Sequence, residues 1–409
     1  MKLKLNQLSK PSIDASIRIT GSKSETNRLL LLQALFPNIK IDNLSNSDDG
    51  QVMQKGLGIR EGEVDIHHAG TAMRFLTAYF ASQEGKEVVL TGSSRMKERP
   101  IKVLVDALRD LGADITYTNT SGCPPLRISG KKLTKSKVAL PANVSSQYIS
   151  ALLLIAPSLE NGLELELIGK ITSVPYIKMT LSLLTDLGIS TTFEGNKIVV
   201  HPKKEVDAKT MVVESDWSSA SYFYSIAALC EIGSQIKLSA YKKNSLQGDS
   251  VLQEIYSQFG VETSFAENEI TLKKVDAHNT DSFEYDLSNA PDLAQTISVT
   301  CLGLGIGCHL TGLHTLPIKE TDRLAALETE LTKLGAQVET DTASLTLQSI
   351  PSVQEGVFID TYHDHRMAMA FAPLALRTHL FVNDAGVVSK SYPNFWDDLK
   401  TLGLQIGEV

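Results

Sequence analysis

The chain has 409 residues, 42% hydrophobic and 21% charged, a soluble globular balance that excludes a disordered chain and carries apolar mass for two compact domains. Its 39 Lys and Arg stand against 47 Asp and Glu, and the net charge of −8 argues against nonspecific binding to nucleic acid or to an anionic membrane. Any anion it holds must be gripped by a local cluster of cations.

Read from the start, "MKLKLNQLSK" has neither an apolar core nor a cleavage-site pattern, so no secretory signal is expected. The cysteines Cys123, Cys230, Cys301 and Cys308 form no CxxC pair, which fits reduced thiols in a cytoplasmic protein. Next, "ITGSKSETNRLLLLQAL" sets Gly21, Ser22, Lys23 and Ser24 before an apolar run, as in a phosphate loop opening a helix. From here two helix types alternate. One is apolar nearly all round and reads as a buried helix: "SETNRLLLLQALF", "GTAMRFLTAYFA", "SSQYISALLLIA", "WSSASYFYSIAALC", "APDLAQTISVTCL" and "DHRMAMAFAPLAL". The other is amphipathic and closes on a glycine: Gly58, Gly112, Gly188, Gly260, Gly335 or Gly403, 54 to 76 residues apart. Each of these glycines is expected in the left-handed conformation that terminates a helix. A strand follows, then a polar turn such as "EGN", then a second strand such as "KIVVHP". The apolar stretch "AQTISVTCLGLGIGCHL" is too short for a membrane span and reads as one buried helix holding Cys301, Cys308 and His309. Six such units divide into two domains of three, with a crossover near Glu214 to Asp216.

Cations recur at fixed points of this repeat. Lys23, Arg28, Arg74 and Arg366 stand at the openings of buried helices, where free N–H groups and the helix dipole favour anions. Arg95, Lys97 and Arg99, then Lys319 and Arg323 with Glu320 and Asp322, then Lys390, stand just before amphipathic helices. A Walker loop is excluded at Lys23, because its two glycine positions hold Ser22 and Ile17. "HDHR" offers only an i, i+2 histidine pair with no third ligand, so no metal is expected.

The segments "GSKSETNR", "AGTAMRF", "SSRMKERPIKVLVDAL", "PPLRI", "NVSSQYISALL", "ESDWSSASYF", "KETDRL", "DHRMAMAFA" and "SKSYPNFW" occur in order and together closely resemble the EPSP synthases of the enolpyruvyl transferase family. The resemblance implies an α/β fold, a two-domain inside-out α/β barrel. Each domain would hold three βαβαββ units with buried parallel helices, and the two would close over a cleft. Residues 1–18 with 216–409 would form the C-terminal-type domain and 19–215 the N-terminal-type domain. It implies transfer of the carboxyvinyl group of phosphoenolpyruvate to the 5-hydroxyl of shikimate 3-phosphate. No metal or organic cofactor is called for, and the enzyme would be a monomer acting on small molecules.

Carried over by position, Lys23, Ser24, Arg28, Ser145, Ser146, Gln147, Ser173, Tyr176, Asp292 and Lys319 resemble shikimate 3-phosphate contacts. Lys23, Gly70, Arg99, Gln147, Arg323, Arg366 and Lys390 resemble the phosphoenolpyruvate site, and Asp292, Glu320 and Lys23 the catalytic set. Asp292 would take the hydroxyl proton. Two departures stand out: His68 replaces the family's usual Asn before "AGTA", and Thr315 replaces an Asn four residues before Lys319. Three other readings are the related transferase acting on UDP-N-acetylglucosamine, a non-catalytic anion-binding repeat protein, and an RNA 3′-phosphate cyclase-like protein. Against the first, Cys123 lies in a strand turn, "SGCPPLRI", and not in the loop that would carry a catalytic cysteine.

Overall fold

The computed structural model describes residues 1–8, 12–142, 145–267, 269–278 and 280–409; Asn143 and Val144 of the "NVSSQYISALL" segment lie outside them. Its helices are α1 (Lys23–Leu35), α2 (Asp48–Leu57), α3 (Gly70–Ser82), α4 (Lys102–Asp110), α5 (Ser146–Ile155), α6 (Val174–Asp186), α7 (Trp217–Leu229), α8 (Leu252–Ser257), α9 (Ala294–Leu304), α10 (Arg323–Lys333), α11 (His365–Phe371) and α12 (Phe395–Thr401). Contacts divide the chain into two compact units, 22–213, and 1–21 with 214–409.

In unit 22–213, α1, α3 and α5 pack on one another and are buried along nearly their whole lengths. They can be apolar all round because sheets and the amphipathic helices cover them. One sheet runs in the order Glu61–Asp65, Glu87–Thr91, Leu126–Ser129, Asp114–Tyr117, the first pair parallel and the others antiparallel. The sheet of Lys137–Pro141, Leu163–Ile168, Lys197–Val200 and Thr191–Glu194 repeats that pattern. In Lys137–Pro141 only Val138 and Leu140 are buried, the period of two that a half-covered strand requires. The remaining strands, Ile39–Asp42 and Lys209–Val212, make a two-stranded parallel sheet, so this repeat is abbreviated.

Unit 1–21 with 214–409 carries the same sheet three times, and the chain's first two strands belong to it. Asp14–Ile17 pairs parallel with Gln235–Ser239, and Leu3–Leu5 lies between Leu380–Val382 and Ile406–Glu408, antiparallel to both. Its buried helices are α7, α9 and α11, with Trp217, Phe223, Ile297, Val299, Met367 and Phe371 essentially inaccessible. At their carboxyl ends one cation satisfies several carbonyls that the helices leave open. Arg377 Nη1 donates to Leu229 O at 2.8 Å and Leu376 O at 3.2 Å, and Nε donates to Gly303 O at 2.9 Å.

Two local expectations need correction. Gly58 follows α2 with φ of −75°, right-handed, although Gly112, Gly188, Gly260, Gly335 and Gly403 are left-handed. Gly58 N–H continues the helical turn to Lys55 O at 3.1 Å, and the positive φ falls instead on Gly62, at 93°. Second, α9 stops at Gly305, whose φ of 75° ends it, so Cys308 and His309 lie in the strand Gly307–Thr311 and not in the helix.

Candidate functional site

Each unit gathers predicted site residues where its buried helices begin. In unit 22–213, Lys23 is the first residue of α1, and its Nζ lies 3.4 Å from Asp49 Oδ2 on α2. His68 Nε2 is 4.0 Å from Asp49 Oδ1. Asp49 thus faces both the lysine of the phosphate-loop-like segment and the histidine that departs from the family pattern. Ser145 caps α5 by accepting from Gln147 N at 3.3 Å, and Gln147 Nε2 reaches across to Thr71 Oγ1 on α3 at 3.2 Å. Ser173 precedes α6 with a left-handed φ of 53°, one turn before Tyr176.

Gly70 opens α3 under a tight roof of cations. A Cβ there would lie 2.7 Å from Arg99 Nη1 and 3.1 Å from Arg74 Nη1, so only glycine lets both guanidinium groups approach. Arg74 itself is buried and braces the site: Nη1 donates to Gly70 O at 2.9 Å and Nη2 to Pro100 O at 3.4 Å. Arg28 is buried and held by its neighbours. Its Nε donates to Thr180 Oγ1 at 2.8 Å, Nη2 to Ser150 Oγ at 3.0 Å and Nη1 to Ser24 O at 2.7 Å. Burial pushes its guanidinium down to about 10, still a cation at neutral pH. Arg95 and Lys97, equivalent to the others in the repeat, are exposed, and Arg95 pairs with Glu98 at 3.2 Å on the surface.

Unit 1–21 with 214–409 holds a denser cluster. Asp292 sits in the turn before α9, 2.8 Å from Arg323, and 3.3 Å from both Lys319 and Arg366. Burial alone would raise its carboxyl, but Lys319, Arg366 and Arg323 outweigh it and hold Asp292 well below the usual carboxylate range. Arg323 is the hub. Its guanidinium also donates to Glu320 Oε2 at 2.9 Å and to Asp364 Oδ2 at 2.7 Å. Burial would lower Arg323, yet Asp364, Glu320 and Asp292 push it above the ordinary arginine value. Asp364, fully buried, caps α11 through Arg366 N at 2.9 Å with one oxygen while holding Arg323 with the other. Lys390 Nζ donates to His363 O at 2.5 Å.

The sequence reading missed several groups that these contacts bring forward: Asp49, Thr71, Thr180, Ser150 and Asp364. Thr71, Ser150 and Asp364 stand in segments already singled out, "AGTAMRF", "NVSSQYISALL" and "HDHR", at or near the openings of buried helices. The arrangement in this unit can bind anions at arginine and lysine while keeping one carboxylate ionised beside them. Among the described residues no group of His, Cys, Asp and Glu is arranged to hold a metal ion, and no helix is long and apolar enough to cross a membrane.

A family model described as EPSP synthase (3-phosphoshikimate 1-carboxyvinyltransferase) matches residues 58–399. The 3-phosphoshikimate 1-carboxyvinyltransferase of Bacteroides fragilis is 46% identical over 408 residues, covering 98% of this chain and 99% of its own. That of Haemophilus influenzae is 36% identical over 433 residues, covering 96% and 98%. Among solved structures, an EPSP synthase from Acinetobacter baumannii aligns over 100% of this chain and 99% of its own, with a TM-score of 0.81 at 21% identity, which speaks to the fold.

Proposed function

Since this chain belongs to the EPSP synthase family, we propose that it transfers the carboxyvinyl group of phosphoenolpyruvate to the 5-hydroxyl of shikimate 3-phosphate, releasing phosphate. This is a step toward aromatic amino acids. The observation that carries the reading at the level of residues is Asp292, an ionised carboxylate with Lys319, Arg323 and Arg366 all within 3.3 Å. Both substrates carry a phosphate and a carboxylate, and burying them requires several cations in hydrogen-bonding range. Lys23, Ser24, Arg28, Ser145, Ser146, Gln147, Ser173, Tyr176, Asp292 and Lys319 hold shikimate 3-phosphate. Lys23, Gly70, Arg99, Gln147, Arg323, Arg366 and Lys390 hold phosphoenolpyruvate.

The chemistry is an addition followed by an elimination. Asp292 accepts the proton of the 5-hydroxyl as its oxygen bonds to C2 of phosphoenolpyruvate, while the methylene carbon gains a proton and becomes a methyl. Lys23, Glu320 and Lys390 are the candidates for delivering that proton. The methyl then returns a proton as the C2–phosphate oxygen bond breaks, so phosphate leaves and the vinyl group is restored. Each positioned proton transfer contributes on the order of 10²–10⁴-fold. Arginine suits the planar, two-oxygen faces of the anions, and lysine supplies a mobile point charge. We assign the inside-out barrel form to each unit from its repeated sheets around buried helices, and place the enzyme as a monomer in the cytoplasm.

The test is phosphate release from phosphoenolpyruvate with shikimate 3-phosphate as acceptor. Release with UDP-N-acetylglucosamine and none with shikimate 3-phosphate would overturn the assignment. A second outcome checks the phosphoenolpyruvate site separately. Gly70→Ala forces Arg99 aside, and because the clash is with the end of a flexible side chain, the fold should survive. KM for phosphoenolpyruvate should then rise by roughly tenfold, the loss of about one charge-assisted hydrogen bond, with KM for shikimate 3-phosphate little changed. Equal rises in both constants would remove Arg99 from a phosphoenolpyruvate-specific role.

A further inference from the structure

We propose that Asp249 and Ser218 are positioning residues that aim the Arg366 guanidinium at phosphoenolpyruvate; the proposal rests on the assignment of Arg366 to that substrate. Asp249 lies in the turn Gly248–Val251 and is 1% exposed, while Ser218 is the second residue of α7. The Ser218 hydroxyl donates to Asp249 Oδ2, and Ser218 Oγ accepts from Arg366 Nη2 at 3.2 Å. The same Nη2 reaches Asp292 Oδ2 at 3.3 Å, and Nη1 donates to Asp292 O at 3.3 Å.

A hydroxyl has one hydrogen, so committing it to Asp249 leaves Ser218 only lone pairs for Arg366. The serine is thereby an acceptor of fixed direction, and Arg366 is held from two sides, by Ser218 and by Asp292. Without that second hold, a guanidinium on a flexible stem would collapse onto Asp292, its nearest full negative charge. Such a collapse would neutralise both the anion site and the proton acceptor. The groups facing Asp249 are Arg366, Asp292, Ser218 and Asp216. Burial pushes the Asp249 carboxyl up to about 6, with Arg366 opposing, a departure that fits a group kept from water for a local purpose. The catalytic scheme has no other use for this carboxyl. Two groups distant in sequence, 31 and 148 residues from their partners, meet here for one hydrogen-bonded line.

The experiment compares Ser218→Ala, Asp249→Ala, Asp249→Asn and the Ser218→Ala/Asp249→Ala pair with Arg366→Lys, using steady-state phosphate release and thermal melting. Ser218→Ala should raise KM for phosphoenolpyruvate by roughly fivefold to thirtyfold with KM for shikimate 3-phosphate within about twofold. The double variant should be no worse than the worse single one, because both substitutions cut one line. Asp249→Asn keeps an acceptor for the hydroxyl and should recover most of what Asp249→Ala loses. A normal KM for phosphoenolpyruvate in Ser218→Ala, additive losses, or an Asn variant as poor as the Ala variant would each overturn the proposal. So would a fall in melting temperature with unchanged KM. Should Arg366→Lys itself leave KM for phosphoenolpyruvate unchanged, the assignment of Arg366 falls, and this inference with it.

Discussion

Asp292→Asn is expected to lower kcat by at least ~10²-fold while KM for phosphoenolpyruvate stays level or falls. The substitution is nearly isosteric, so Lys319, Arg323 and Arg366 remain where they are, but they lose a competing negative charge. Anionic substrate should therefore bind at least as well, and only the proton transfer should suffer. There is an apparent conflict to resolve. With its carboxyl held well below the usual range, Asp292 is a poor base in the free protein. In the proposed reaction phosphoenolpyruvate would resolve it by engaging Arg323 and Arg366 with its own oxygens, weakening their hold on Asp292 and letting its affinity for a proton rise. The acid limb of kcat should accordingly lie at higher pH than the limb that Asp292 contributes to kcat/KM, since the first reports the loaded enzyme and the second the free one. A variant retaining kcat within tenfold, with a normal melting curve, would remove Asp292 as the proton acceptor.

What was legible in the sequence follows from which forces act locally. The six buried helices could be read because covered helices are apolar on every side, a signal carried within one segment of thirteen residues or fewer. Five of the six closing glycines have the left-handed backbone expected of them; Gly58, in the right-handed region, does not. The error at Cys308 has the same root: an apolar run of this length fits a buried helix and a buried strand alike, and Gly305 decides between them. Site residues standing in the first turns of helices were visible as cations and small polar groups in a repeated place. Their partners were not. Arg28 meets Thr180 across 152 residues, and Arg323 meets Asp364 across 41, and no spacing rule reaches so far. Asp49 follows Asp48 in the first turn of α2 and Asp249 is a lone acid in its turn, and only the fold turns them toward Lys23 and Ser218.

Arg323→Met should destabilise unit 1–21 with 214–409 by about 3–5 kcal/mol, because it leaves the fully buried Asp364 carboxylate without its cation. Methionine fills much of the arginine stem's volume, so the loss is electrostatic more than steric. Arg323 is 1% exposed and bonded to Asp292, Glu320 and Asp364, and Asp364 is itself fully buried. For a unit of this size that loss lowers the melting temperature by roughly 6–20 °C. The sign of the pH dependence follows from Asp292, whose folded value is depressed. Such a group contributes stability that is fully present above its unfolded value, about 3.9, and is lost as pH falls toward the folded one. Without Arg323 the depression shrinks, so the contribution at neutral pH is smaller and there is less to lose in acid. The unfolded value is common to native protein and variant, so the stability gap between them should be widest at neutral pH and narrow only as pH falls toward the variant's own folded value for Asp292, which Lys319 and Arg366 still hold down. Chemical denaturation at pH 7 and in steps down to about pH 2 measures it. A gap that holds constant or widens in acid would mean that Arg323 supports the fold through packing alone, and that the charge cluster around Asp292 is not what it balances.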